Sequence, residues 1–119
     1  MRLSMSTWTL HGLIGSGVPL LDIPAQIAQH GIHTLEVCHF HLPTTEAAYL
    51  AEFRAALAAA NVELYSILID RGDITARDPQ QRTSDLEFIR HWIEVAAAVG
   101  AFGVRMRLCV LSTPVPLFR

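Results

Sequence analysis

Apolar runs with strand character alternate along the chain with longer stretches of helical periodicity. Three of those stretches close on a residue suited to a helix end, at Gly31, Asn61 and Gly100. Leu3–Trp8 alternates and predicts a first strand, and Gly12, Gly15 and Gly17 predict a flexible loop after it. A helix is expected from Asp22, which is suited to capping, with Pro24 tolerated in the first turn and Ile23 and Ile27 on its buried stripe. Ile32–Val37 reads as the second strand. Thr44 or Thr45 is the expected cap of the next helix, whose Leu50, Phe53 and Leu57 share one face.

Val62–Ile69 is the strongest strand signal in the chain, and its near-continuous apolar end predicts burial on both faces. A polar loop follows over Asp70–Arg82, long enough for a functional lid. The capping-box sequence Ser84-Asp85-Leu86-Glu87 predicts the start of the third helix, with Leu86, Ile89, Ile93 and Ala97 as its buried stripe. Phe102–Leu108 is the fourth strand. The pattern is lost at Cys109: residues 109–119 carry two prolines and no charge before Arg119.

Strands alternating with helices predict an α/β fold with a parallel sheet, and such folds place their chemistry at the carboxyl ends of the strands. Trp8, Thr9 and His11 would follow the first strand; Glu36, His39 and His41 would end the second. Asp70, Arg71 and Asp73 would follow the third, and Arg105 and Arg107 would sit on the fourth. Glu36 with His39 and His41 is the sharpest local group, because a carboxylate can shuttle protons and imidazoles can contact substrate or metal. In an extended chain the two histidines would point to one side. Asp70, Arg71 and Asp73 suit a substrate hydroxyl or phosphate, and Arg105 and Arg107, which share a strand face, suit an anion or carboxylate. Trp8 and Trp92 are expected in the core.

Composition narrows the function classes. With 119 residues the chain forms one domain, and 51% hydrophobic against 17% charged residues describes a core-rich globule, not a disordered one. The net charge of −2 and the absence of a basic run do not favour nucleic acid as a partner. All nine basic residues are Arg, which excludes a Schiff-base or P-loop lysine from this polypeptide. Gly15-Ser16-Gly17 lacks the third glycine of a dinucleotide fingerprint, and no Ser or Cys sits in a nucleophile elbow. Cys38 and Cys109, far apart and with no secretory leader ahead of them, predict a reduced, cytoplasmic chain. No apolar stretch reaches the ~20 residues of a membrane span.

Four phrases carry a family resemblance: Arg2-Leu3-Ser4-Met5-Ser6-Thr7-Trp8-Thr9, Gly31-Ile32-His33-Thr34-Leu35-Glu36-Val37, Asn61-Val62-Glu63-Leu64-Tyr65-Ser66-Ile67-Leu68, and Ile93-Glu94-Val95-Ala96-Ala97-Ala98-Val99-Gly100-Ala101. With the order of elements, they resemble the amino-terminal half of the xylose-isomerase-like TIM barrels. That group includes sugar-phosphate isomerases and epimerases and the endonuclease IV type of apurinic-site nucleases. The resemblance implies about four βα units of a (β/α)8 barrel, whose complete form takes roughly 250 residues. It implies a divalent metal (Mn, Mg, Co or Zn) in the complete barrel, which polarises a carbohydrate while carboxylates move protons.

The metal ligands of that family come mainly from the second half of the barrel, so no metal is expected on this chain alone and its metal residues stay unassigned. Glu36 carries over as the catalytic candidate, and His11, His39, His41, Asp70 and Arg105 are candidate substrate contacts. The expected organisation is residues 1–108 as the amino-terminal half of a barrel domain and 109–119 as an irregular, non-native tail of a truncated or frame-shifted product. The expected function is that of a metal-dependent sugar-phosphate isomerase or epimerase when the barrel is whole, inactive as this piece. The alternatives are a non-catalytic half-barrel that self-associates through its exposed sheet edges, or a relative of the apurinic-site endonucleases.

Overall fold

The computed structural model describes residues 1–106. Four strands, β1 (Met5–Ser6), β2 (Thr34–Cys38), β3 (Glu63–Leu68) and β4 (Gly103–Arg105), pair in the order β1-β2-β3-β4, and every pairing is parallel. The helices are α1 (His11–Gly15), α2 (Ile23–Gln29), α3 (Ala47–Ala59) and α4 (Pro79–Val99). Sequential parallel neighbours joined through helices are the arrangement expected from the alternation in the sequence.

One face of the sheet and the facing sides of the helices make the core. Leu35, Val37, Leu64 and Ile67 meet Ile23, Ile27, Leu50, Phe53, Leu57, Trp92, Val95 and Val99 there. Phe53, Ile23, Leu35, Ile67 and Val37 are sealed completely, each stabilising the fold by about 1.5–3 kcal/mol. The helix ends follow the expected chemistry: Asn61 adopts φ 53° after α3, and Gly100 adopts φ 78° after α4.

Several local expectations are corrected. Only Met5 and Ser6 of the Leu3–Trp8 segment form a strand, and Trp8 is 63% exposed, not core. The ladder outlasts the strand because Thr7 N–H donates to Glu36 O at 2.9 Å and Thr7 Oγ1 accepts from Cys38 N–H at 2.8 Å. The glycine-rich segment is not plain loop, since His11–Gly15 forms a short helix before Gly17 turns at φ 108°. Asp22 occupies the cap position of α2 without a side-chain bond, and a 3-10 turn over Leu20–Asp22 leads into the helix. Neither Thr44 nor Thr45 occupies the cap of α3; Glu46 does, and Thr44 Oγ1 accepts from Glu46 N–H instead. His39–His41 is a 3-10 turn, not extended chain.

The largest correction concerns α4, which begins at Pro79 and not at the Ser84 box. Asp78 caps it by accepting from Gln80 N–H at 3.1 Å, and Pro79 needs no amide partner in the first turn. Asp85, inside the helix, bonds elsewhere, its carboxylate accepting from Asp73 N–H at 2.9 Å and from Gln81 Nε2 at 2.9 Å. The buried stripe is also rotated, to Ile89, Trp92, Val95, Ala96 and Val99, while Ile93 is 53% exposed. Burial of the Trp92 ring, the largest side chain of the helix, decides that rotation. Among the described residues strand β4 covers Gly103–Arg105, and Arg107, Leu108 and the 109–119 tail lie outside them. Among the described residues no helix is long and apolar enough to cross a membrane.

Candidate functional site

The face of the sheet turned away from the helices carries the polar set. Register places Ser6 beside Glu36, Glu36 beside Ser66, and Ser66 beside Gly103 in one row; Cys38, Leu68 and Arg105 form the next row toward the carboxyl ends. A register shift between Leu35 and Glu36 skips Tyr65, so Ser66 rather than Tyr65 stands opposite Glu36. Ser66 Oγ donates to Glu36 Oε1 at 3.2 Å. The carboxylate is held in place while part of it stays accessible.

Ser6 and Glu36 of the first row, with Cys38, Leu68 and Arg105 of the second, line a cleft of about 650 Å³. Glu36 and Arg105 rise from its floor, Asp70 stands at the end of β3, and Trp8 and Phe40 form an aromatic wall. The two aromatic rings meet edge to face with centroids 6.1 Å apart, and Phe40 is 43% exposed. A partly apolar cleft with a few converging polar groups is the ordinary form of a small-molecule site.

The segment after β3 is fastened down. Arg71 lies over the Phe88 ring with its guanidinium carbon 4.4 Å from the centroid, and Asp73 N–H reaches Asp85 on α4. Gly72, at φ 107°, lets the chain pass close to Ile89: a Cβ there would stand 3.3 Å from that side chain. The connection from β3 to α4 is Ile69–Asp78, which ends before the expected Arg82.

Glu36, Asp70 and Arg105 come together in the cleft as the sequence anticipated, whereas His11, His39 and His41 are not among its lining residues. His39 is buried, its ring edge-to-face against Phe40, Phe88 and Trp92. Its Nδ1 lies 3.4 Å from Leu68 O and 3.5 Å from an Asp70 carboxylate oxygen. Both neighbours are acceptors, which places the proton on Nδ1. His41 is engaged at both nitrogens, Nδ1 with Thr7 Oγ1 and Nε2 with His11 Nδ1, each at 2.8 Å. Burial, and then the neighbouring His11, hold the His41 pKa below the usual histidine value.

The 3-10 turn therefore sends His39 and His41 to different partners rather than to one chelated ion. Among the described residues no three His, Cys, Asp or Glu side chains converge on a point that could hold a metal. The nearest pair of donors, His11 and His41, bonds to itself, and Glu36 is engaged by Ser66. The described residues do not by themselves fit a resident divalent metal.

Sequence reasoning sets Trp8 at the carboxyl end of the first strand but assigns its ring to the core and gives Phe40 no role, so it misses the aromatic wall. The only sequence signal for it is the position of both residues just beyond strand ends.

The model of the xylose isomerase-like TIM barrel family matches residues 24–110. The chain belongs to that family. A crystal structure of D-psicose 3-epimerase determined in the presence of D-fructose is similar over 97% of this chain and 42% of that one, with a TM-score of 0.76 and 16% identity. The four parallel strands thus correspond to part of a TIM barrel, and the chain spans about two fifths of the epimerase chain. A comparison with curated proteins finds no match. In a TIM barrel the helix-free face of the sheet is the interior, and the Ser6–Glu36–Ser66–Gly103 row crosses that face from β1 to β4.

Proposed function

We propose that the chain forms the carbohydrate-binding wall of an isomerase- or epimerase-type barrel. The observation that carries this reading is the pairing of an exposed aromatic wall, Trp8 and Phe40, with Glu36, Asp70 and Arg105 across one cleft. A sugar presents polarised C–H groups on its faces and hydroxyls around its rim. The negative faces of aromatic rings attract the former, and carboxylates and a guanidinium bind the latter. Membership of the family and the likeness to an epimerase support the same substrate class.

In this reading Glu36 accepts the proton removed from a carbon or hydroxyl of the bound sugar. Ser66 fixes the Glu36 oxygen it bonds, leaving the carboxylate aimed at the cleft. Arg105 orients an oxygen-rich substrate, and Asp70, with His39 behind it, binds a hydroxyl at the strand end. A second proton-transfer group on the opposite side of the sugar must come from outside the described residues, so residues 1–106 bind carbohydrate without turning it over.

Titration of the 15N-labelled chain with D-fructose and D-psicose tests the binding. Amide shifts confined to Trp8, Glu36, Phe40, Asp70 and Arg105 are expected, and shifts scattered over the surface, or none at millimolar sugar, would sink it. Incubation in D2O with either ketose reads turnover separately through deuterium incorporation at carbon.

A further inference from the structure

Thr7, His41 and His11 form a hydrogen-bonded chain that the proposed chemistry of the cleft does not use. Thr7 is fully buried, and its Oγ1 holds both the Cys38 amide and His41 Nδ1 at 2.8 Å. The other nitrogen of His41, Nε2, faces His11 Nδ1 at the same distance. Only one proton fits between those two nitrogens: in either tautomer one ring donates and the other accepts. A single positive charge on the pair is compatible with this contact. A second is not, because both facing nitrogens would then carry hydrogen.

The two partners are unequally anchored. His41 is buried and tied through Thr7 to the β1–β2 ladder, whereas His11 opens α1, a helix of five residues none of which is buried. When the contact breaks, His11 is the ring that moves. Trp8 is coupled to it, since the two rings stack with centroids 5.4 Å apart at 28°. Trp8 is itself a wall of the cleft.

We propose that the His11–His41 hydrogen bond is a proton-sensitive latch on Trp8, which holds the aromatic rim of the cleft in neutral solution and releases it in mild acid. The surrounding titratable groups are few. His39 shares the turn with His41 and is directed to Asp70, Glu36 lies on β2 inside the cleft, and Arg105 faces it from β4. α1 contributes no charged residue apart from His11. Release follows protonation of His41, whose charge burial and the neighbouring His11 both oppose. The latch does not depend on what the cleft binds and is read without ligand.

The test is 19F NMR of the full chain carrying 5-fluorotryptophan, between pH 8 and pH 5, with the two resonances assigned through Trp8→Phe. The Trp8 resonance is expected to shift in step with the ring protons of His41 while the far-UV circular dichroism of the chain stays constant. In His11→Gln the side-chain amide donates to neutral His41 or accepts from its protonated form, and the Trp8 resonance is expected to stay flat. A flat Trp8 resonance in the unmodified chain, or a shift that persists undiminished in His11→Gln, would overturn the latch. Loss of far-UV circular dichroism over the same range would overturn it equally, because it reports global unfolding.

Discussion

Ser66 reaches Glu36 because the β2–β3 register slips by one residue and passes over Tyr65. Continuous pairing would have set a large exposed phenol opposite the candidate proton acceptor. The slip sets a small donor there instead, and the carboxylate of Glu36 is engaged at one oxygen.

Ser66→Ala removes this donor in a buried setting. A loss of about 0.5–1.5 kcal/mol is expected in urea unfolding, together with weaker ketose binding in the NMR titration. Unchanged affinity would mean that the bond only supports the sheet.

Trp8→Ala separates binding from stability. The side chain is 63% exposed, so unfolding free energy should stay within about 0.5 kcal/mol of the parent. Ketose affinity should fall about threefold to tenfold, the amount one aromatic contact carries. Calorimetric titration and urea melts on the same samples check both.

Asp78→Ala and Ser84→Ala distinguish two starts for α4. Asp78 accepts from Gln80 N–H, and its loss should cost about 0.5–2 kcal/mol. Ser84 lies inside the helix, where alanine is the better helix former, so that variant should be neutral or slightly stabilising. The reverse order would restore the Ser84 box as the cap.

His41 makes stability depend on pH. Its pKa is held below the ordinary 6.5, so the unfolded chain binds the proton more readily than the folded one. The contribution is therefore present in full above pH 6.5 and lost as pH falls below that value. Urea midpoints from pH 8 to pH 5 should decline in the lower half of the range, and His41→Gln should flatten that decline.

Helix and strand order, the parallel sheet and the family are legible in the chain itself. Periodicity and end residues are local properties: Gly100 and Asn61 take left-handed backbone wherever a helix stops at them, and Phe53 with Leu57 marks a buried face in any packing. Glu36, Asp70 and Arg105 can be brought together on paper because parallel strands put their carboxyl ends at one edge. The start of α4 is not legible in this way: the Ser84 box is the start read from the sequence, whereas the cap at Asp78 and the contact between Asp85 and the Asp73 amide across 12 positions are visible only in space.

Tertiary structure alone decided the fates of the histidines and of Trp8. His39 and His41 are neighbours in sequence, yet a 3-10 turn gives one to Asp70 and an aromatic pocket and the other to Thr7 and His11. Trp8 reads as core by hydropathy but stands on the cleft rim because β1 ends before it. Side-chain pattern along the chain fixes which residues seek burial or a helix end. Which polar groups meet depends on register, turn type and packing between segments roughly 30 residues apart, and these were settled only when the sheet assembled.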